Sequence, residues 1–314
     1  MKIHGVMAGA LVAIVVFLLV SPLVLAQTRS RFPILRTVKE LRAFRFSYDG
    51  ITLPEDHYDV PARVRLLQKR FKHQLCDVIT GVLNRDRGPS SSPGELRSAI
   101  RSQLMLLGLL SQSGLGQPPD NTYGHVLDVT VEAVPKQPAL LAVGVIIEVY
   151  WDEDESLYVF RRSRARWTNV LAAEVNDYST IIDAQSSRFN YVVSPPAKDG
   201  SWFVVTSSVN PHKVSAWQHV TYTALAPGPN AYHPRMLVRR THTLYVGGDD
   251  ESHACMLHAS ATGFHVSFIG NVMYSAGQYY NYDYKMTRHT ARLIRAECVT
   301  TSIITGKDET CRLR

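Results

Sequence analysis

Four cysteines in 314 residues are too few for a disulfide-dense miniature fold, and no two of them stand as Cys-x-x-Cys. There is no Gly-x-Ser-x-Gly elbow, no His-Glu-x-x-His helix and no Gly-rich phosphate loop, so the usual serine-hydrolase, zinc-protease and nucleotide-binding signatures are absent. No Asp-x-Asp-x-Asp-Gly calcium loop occurs either, and no cofactor is expected. Lysine and arginine outnumber aspartate and glutamate, 34 to 27, yet nowhere form a block of five or six. With no nucleic-acid motif beside them, that scatter excludes nucleic acid as an expected partner.

Long apolar runs are confined to the N-terminus. Lys2 and His4 precede an uninterrupted apolar stretch, Val6 to Val20, and Ser21-Pro22 breaks it before Val24-Leu25-Ala26. Small residues at the two positions a signal peptidase reads predict export, with cleavage between Ala26 and Gln27. The alternative is an uncleaved membrane anchor, because Val6 to Ala26 is just long enough to span. No later run is long enough, so no transmembrane segment is expected after cleavage, and the destination is the periplasm or the extracellular space. Loss of Lys2 takes the formal charge from +7 to +6 (7 − 1). A basic exported chain is attracted to anionic envelope polymers or lipids.

An exported chain with an even cysteine count permits disulfides, and four cysteines allow three pairings. Cys298 and Cys311 flank a polar, turn-rich tail, and closing that loop is worth about 3 kcal/mol in the chain-entropy model. Buried thiols are the alternative, and that reading suits Cys76, which lies on an apolar helical stripe.

Residues 27–122 carry helical periodicity after a small hairpin signal. In FRFSYDGITL, Phe44, Phe46 and Tyr48 alternate with polar residues up to an Asp49-Gly50 turn. Val64, Leu67, Phe71, Leu75, Val78 and Val82 then recur at spacings of three and four, with Arg65, Lys69 and Lys72 on another, solvated face. Ser92, Pro93 and Glu95 read as a capping box opening a second helix, whose stripe is Leu96, Ile100, Leu104 and Leu107. Residues 111–124 form a linker by composition.

From residue 123 to 314 the period is two. Ten segments rich in β-branched and aromatic residues alternate with turn residues, so the class is α+β with an all-β C-terminal part. Three of these segments align at offsets of 61 and 62: Leu141, Val143 and Val145 match Trp202, Val204 and Thr206, then Phe264, Val266 and Phe268. On the next strand the same offsets relate Val159, Val220 and Tyr282. The expected unit is a four-stranded antiparallel meander of about sixty residues, present three times. Three units are too few for a closed propeller, so an open propeller-like fan or a β-sandwich is expected.

This register gathers the connections between the first two matched strands at one edge. The candidate ligand-binding residues there are Trp151, Asp152, Asp154, His212, Lys213, Trp217, Tyr274 and Tyr279. Aromatic planes among polar groups suit a carbohydrate or a peptide. The competing reading is that each aromatic plugs the end of its own sheet. Asp152 to Glu155 and Asp249 to Glu251 read as acidic turns. His253, Cys255 and His258 do not converge on one side of a strand, so no metal site is expected there. In QYYNYDYKM, Tyr280, Tyr282 and Tyr284 read as inner-face packing, and Tyr279 points the other way.

Three functions are consistent with these features. The first is an exported, non-enzymatic binding or envelope-associated protein using that edge. The second is a secreted hydrolase of a polysaccharide or peptide, with Asp154 and Asp283 as the carboxylate pair or His212, His219 or His233 beside a nucleophile. The third is a structural subunit that docks a partner through its helices.

Overall fold

A computed structural model of the chain describes residues 32–44, 60–85, 92–110, 123–149, 152–174, 189–210, 217–245, 255–273, 276–287, 289–302 and 308–311. The apolar N-terminal run, most of the expected hairpin at residues 44–53 and the second acidic turn lie outside them. Among the described residues no helix is long and apolar enough to cross a membrane.

Among the described residues three helices come first: α1 (Pro33–Ala43), α2 (Ala62–Arg85) and α3 (Pro93–Leu106). α1 starts on a proline whose missing N–H costs nothing in a first turn, and it buries Ile34, Val38 and Leu41 at spacings of four and three. Its short stripe was not anticipated. All six positions of the α2 stripe are buried. α3 has the full capping box: Glu95 N–H donates to Ser92 Oγ (3.3 Å) and Ser92 N–H donates to Glu95 Oε2 (2.7 Å).

Three antiparallel sheets follow among the described residues, each with its strands in chain order. The first holds β1 (Val126–Ala133), β2 (Leu140–Val149), β3 (Asp152–Ser163) and β4 (Arg166–Ala173). The second holds β5 (Asn190–Val193), β6 (Val204–Asn210), β7 (Trp217–Ala226) and β8 (Arg235–Tyr245). The third holds β9 (Met256–Ser260), β10 (Gly263–Met273), β11 (Ala276–Met286), β12 (Ala291–Ser302) and β13 (Asp308–Thr310). The class is therefore α+β and mainly antiparallel. A disulfide joins Cys298 to Cys311 and ties β12 to the chain just after β13.

Alternation along the strands sets the layering. On β2, Leu141, Val143 and Val145 join the helices in one core, whereas Leu140 and Ala142 face the second sheet. On the second sheet, Val204 and Leu225 meet the first sheet, and Phe203, Val205 and Tyr222 meet the third. The molecule is thus layered as helices, first sheet, second sheet, third sheet, with the first two sheets covered on both faces. Residues on either side of position 122 share the first core, so the helices are the outer cover of the first sheet. Arg97 donates to both Asp128 oxygens (2.9 and 3.2 Å) and Arg101 to one of them, while Asn84 exchanges two hydrogen bonds with the Trp167 backbone (2.8 and 2.9 Å).

Rings dominate the last interface. Phe203 and Phe264 lie 6.0 Å apart between centroids, and Phe264 stacks on Tyr284 at 4.6 Å. Tyr280, Tyr282 and Tyr284 are all buried there. A Cβ on Gly270 would come within 2.6 Å of Leu244 of the second sheet, so glycine permits the close approach.

The pairing departs from the constant offset on the second matched strand. Val143, Val204 and Val266 each face the preceding layer, as the alignment of the first matched strand requires. Opposite them stand Tyr158, Leu225 and Tyr282. Those positions are 67 and 57 apart (225 − 158 and 282 − 225), not 61 and 62. The slip has a local cause: Val149 pairs with Asp152 across two residues, whereas Asn210 pairs with His219 across eight. Val159 and Val220 consequently face the following sheet, while Tyr282 faces back. Tyr222 and Tyr284, which the offset makes equivalent, are contact partners with hydroxyl oxygens 2.8 Å apart.

Candidate functional site

Each sheet has a connection from its second to its third strand, and the candidate residues cluster around these connections. The closing pairs are Val149 with Asp152, Asn210 with His219, and Met273 with Ala276. Trp151, His212, Lys213 and Tyr274 fall between them, outside the described residues. Asp152 opens β3 opposite Val149, and Trp217 opens β7 opposite Tyr245.

Asp154 and its neighbours were read as a solvated acidic tip, and they are not one. Glu153, Asp154 and Glu155 are strand residues of β3, opposite Glu148, Ile147 and Ile146. Asp154 is fully buried and pairs with Lys72 of α2 at 2.5 Å, so Lys72 leaves the solvated face assigned to it. The reason is geometric: β-strand alternation turns Asp154 to the helix side, where only a cation makes burial tolerable. Glu155 points the other way, and its carboxyl is raised to about 7 by burial, with Glu153 as the next cause. A carboxyl titrating near neutrality is a feature that sequence spacing did not reveal.

Asp283 lies on the outer face of the third sheet, with Oδ1 2.7 Å from His265 Nδ1 and Arg295 opposite in the ladder. Two sheet-to-sheet interfaces, each about 10 Å thick, separate it from Asp154. The two carboxylates point away from each other and therefore stand at least roughly 20 Å apart, beyond the ~5–10 Å range of glycosidase pairs. Tyr279 is on the same outer face, 41% exposed, between Ile269 and Val299. His258 pairs with His265 and is exposed, whereas Cys255 is buried toward the second sheet. His253 lies outside the described residues. Among those described, no group of three His, Cys, Asp or Glu side chains is placed to hold a metal.

A second polar cluster lies where α2 meets the first sheet. The His73 ring packs against Tyr232 with centroids 3.8 Å apart and planes tilted by 33°, and His73 Nε2 is 3.8 Å from Glu174 Oε2. Asn169 Nδ2 donates to Cys76 Sγ at 3.2 Å. A cysteine three residues from a histidine on one helix invites comparison with a thiol nucleophile. Burial pushes the Cys76 thiol up to about 12, however, which disfavours the thiolate that a nucleophile needs. His219 hydrogen-bonds Thr243 (3.0 Å), and His233 hydrogen-bonds Asn230 (2.9 Å).

No family model and no curated protein matches the chain. One solved chain, from a study titled "Structural and Mechanistic Analysis of Two Prolyl Endopeptidases: Role of Inter-Domain Dynamics in Catalysis and Specificity", is 8% identical with a TM-score of 0.15. The match covers 58% of this chain and 42% of that one, a likeness too slight to relate the two folds.

Proposed function

We propose that the chain is an exported, non-enzymatic binding or envelope-associated protein whose ligand surface is the rim of its three sheets. The carrying observation is topological. The connections around Trp151, around His212, Lys213 and Trp217, and around Tyr274 each join the second strand of a sheet to its third, in sheets stacked face to face. In this reading the sheets are successive copies of one meander, arranged as an open fan. Its support is that the second strand of each sheet turns the same alternate row toward the preceding layer. Asp152 and Tyr279 belong to the same rim, whereas Asp154 serves the core. Aromatic planes with a few polar groups favour a carbohydrate or a peptide as ligand.

Export is supported by the signal-like N-terminus and by the Cys298–Cys311 disulfide, which belongs in an oxidising compartment. A glycan and peptide binding screen on the exported protein tests the function. A ligand whose binding weakens at least about tenfold in Trp151→Ala and Trp217→Ala, as loss of a stacked aromatic hot spot does, supports it. A ligand indifferent to both substitutions places recognition elsewhere.

A further inference from the structure

We propose that an open trough between α1, the start of α2 and the end of α3 docks the protein onto an anionic phospholipid surface. The trough measures about 1580 Å³. That is larger than the ~300–1,000 Å³ of a small-molecule pocket, and its openness suits a surface rather than an enclosed ligand. Val38, Val64 and Leu67 make an apolar floor, and Leu106 stands on its lip at 83% exposure. Four cations, Arg36, Lys39, Arg42 and Arg63, line it against one acid, Glu40. Arg42 is turned inward to the Gly108 and Gly124 carbonyls (2.7 and 3.1 Å), and Arg63 reaches Glu40 at 3.1 Å. Arg36 and Lys39 are exposed.

An apolar lip inside a cationic rim is the chemistry of interfacial binding. The leucine enters the acyl boundary while the cations stay at headgroup level, where an anionic surface attracts them. Charge complementarity therefore selects anionic over zwitterionic lipid. The inference rests on the export reading for the encounter with a membrane, and it uses residues distinct from the rim.

The test is vesicle flotation of the exported protein with phosphatidylcholine alone or mixed with phosphatidylglycerol. Binding is expected to the mixed vesicles, to weaken with salt, and to be much lower on phosphatidylcholine. The double charge reversal Arg36→Glu/Lys39→Glu should lower partitioning at least about tenfold. Leu106→Ser should lower it about tenfold. All three positions are exposed, so thermal midpoints should not move. Equal binding to both lipids, or wild-type binding by the charge-reversed variant, overturns the proposal. So does loss on charge reversal with no effect of Leu106→Ser, since binding is then by charge alone. A concentration-dependent dimer abolished by Leu106→Ser assigns the trough to a second copy and also overturns it. Rim variants Trp151→Ala and Trp217→Ala should float like wild type, which separates this result from the fate of the ligand reading.

Discussion

Lys72→Met removes a cation from the interior of the helix-to-sheet core. Lys72 Nζ lies 2.5 Å from Asp154 Oδ2, and the two side chains are 1% and 0% exposed. Opposite charges ~4 Å apart attract by about 4 kcal/mol at an effective dielectric of ~20. Taking away the ammonium leaves the carboxylate buried without its cation, a change that costs about 3–5 kcal/mol. Against a typical domain stability of ~5–15 kcal/mol, that is about a fifth of the total or more. The double variant Lys72→Met/Asp154→Leu removes both charges and keeps apolar volume. It should lie close to wild type or exceed it, because desolvating the pair offsets most of its attraction. Urea unfolding followed by circular dichroism measures both, with the midpoint shift read at constant slope. A loss below about 1 kcal/mol in the single variant would mean that solvent reaches the pair. A double variant as damaged as the sum of the two single variants would mean that the residues act independently. Either result refutes the buried-pair account.

Trp202→Ala should cost about 3–5 kcal/mol, since the indole is buried between the first and second sheets with Arg161 over its ring at 6.0 Å. An unchanged urea midpoint would show the ring to be exposed. Cys311→Ser should lower stability by about 3 kcal/mol under oxidising conditions and change little once the protein is reduced. His242 lies among Tyr222, Phe268 and Tyr282, with centroids 5.8, 5.2 and 5.0 Å away. Burial, with Arg240 as the second cause, holds its pKa below the ordinary value. The folded state then binds fewer protons than the unfolded state. Stability is complete above about pH 6.5 and falls as pH drops through the lowered folded pKa. Thermal midpoints should show that decline in wild type and lose this part of it in His242→Phe.

Periodicity made much of the fold legible. The α2 stripe and the Ser92 capping box depend on spacings of three and four, which side-chain direction on a helix enforces locally. The strands and the inward row Tyr280, Tyr282 and Tyr284 followed from a period of two for the same reason. What spacing could not reveal was where two elements meet. Lys72 and Asp154 each resemble solvent-facing residues on their own element, and only the docking of α2 on the first sheet makes them partners. Offsets likewise survived along one strand and failed across a hairpin, because the longer connection after Asn210 displaces the pairing without disturbing alternation. The candidate rim was legible as a set of connections in corresponding places. Asp154 departs from it because its strand continues where an acidic tip was expected.

The proposed ligand surface requires the three connections to gather on one rim. Nitroxide pairs attached at positions 151, 212 and 274 would measure this directly by pulsed electron resonance. With sheets about 10 Å apart, neighbouring pairs should lie roughly 10–20 Å apart and the outer pair roughly 20–30 Å. The opposite outcome is a neighbouring pair separated by more than a strand length, about 33 Å for ten residues, which would put the connections at opposite ends of the stack and remove the shared surface.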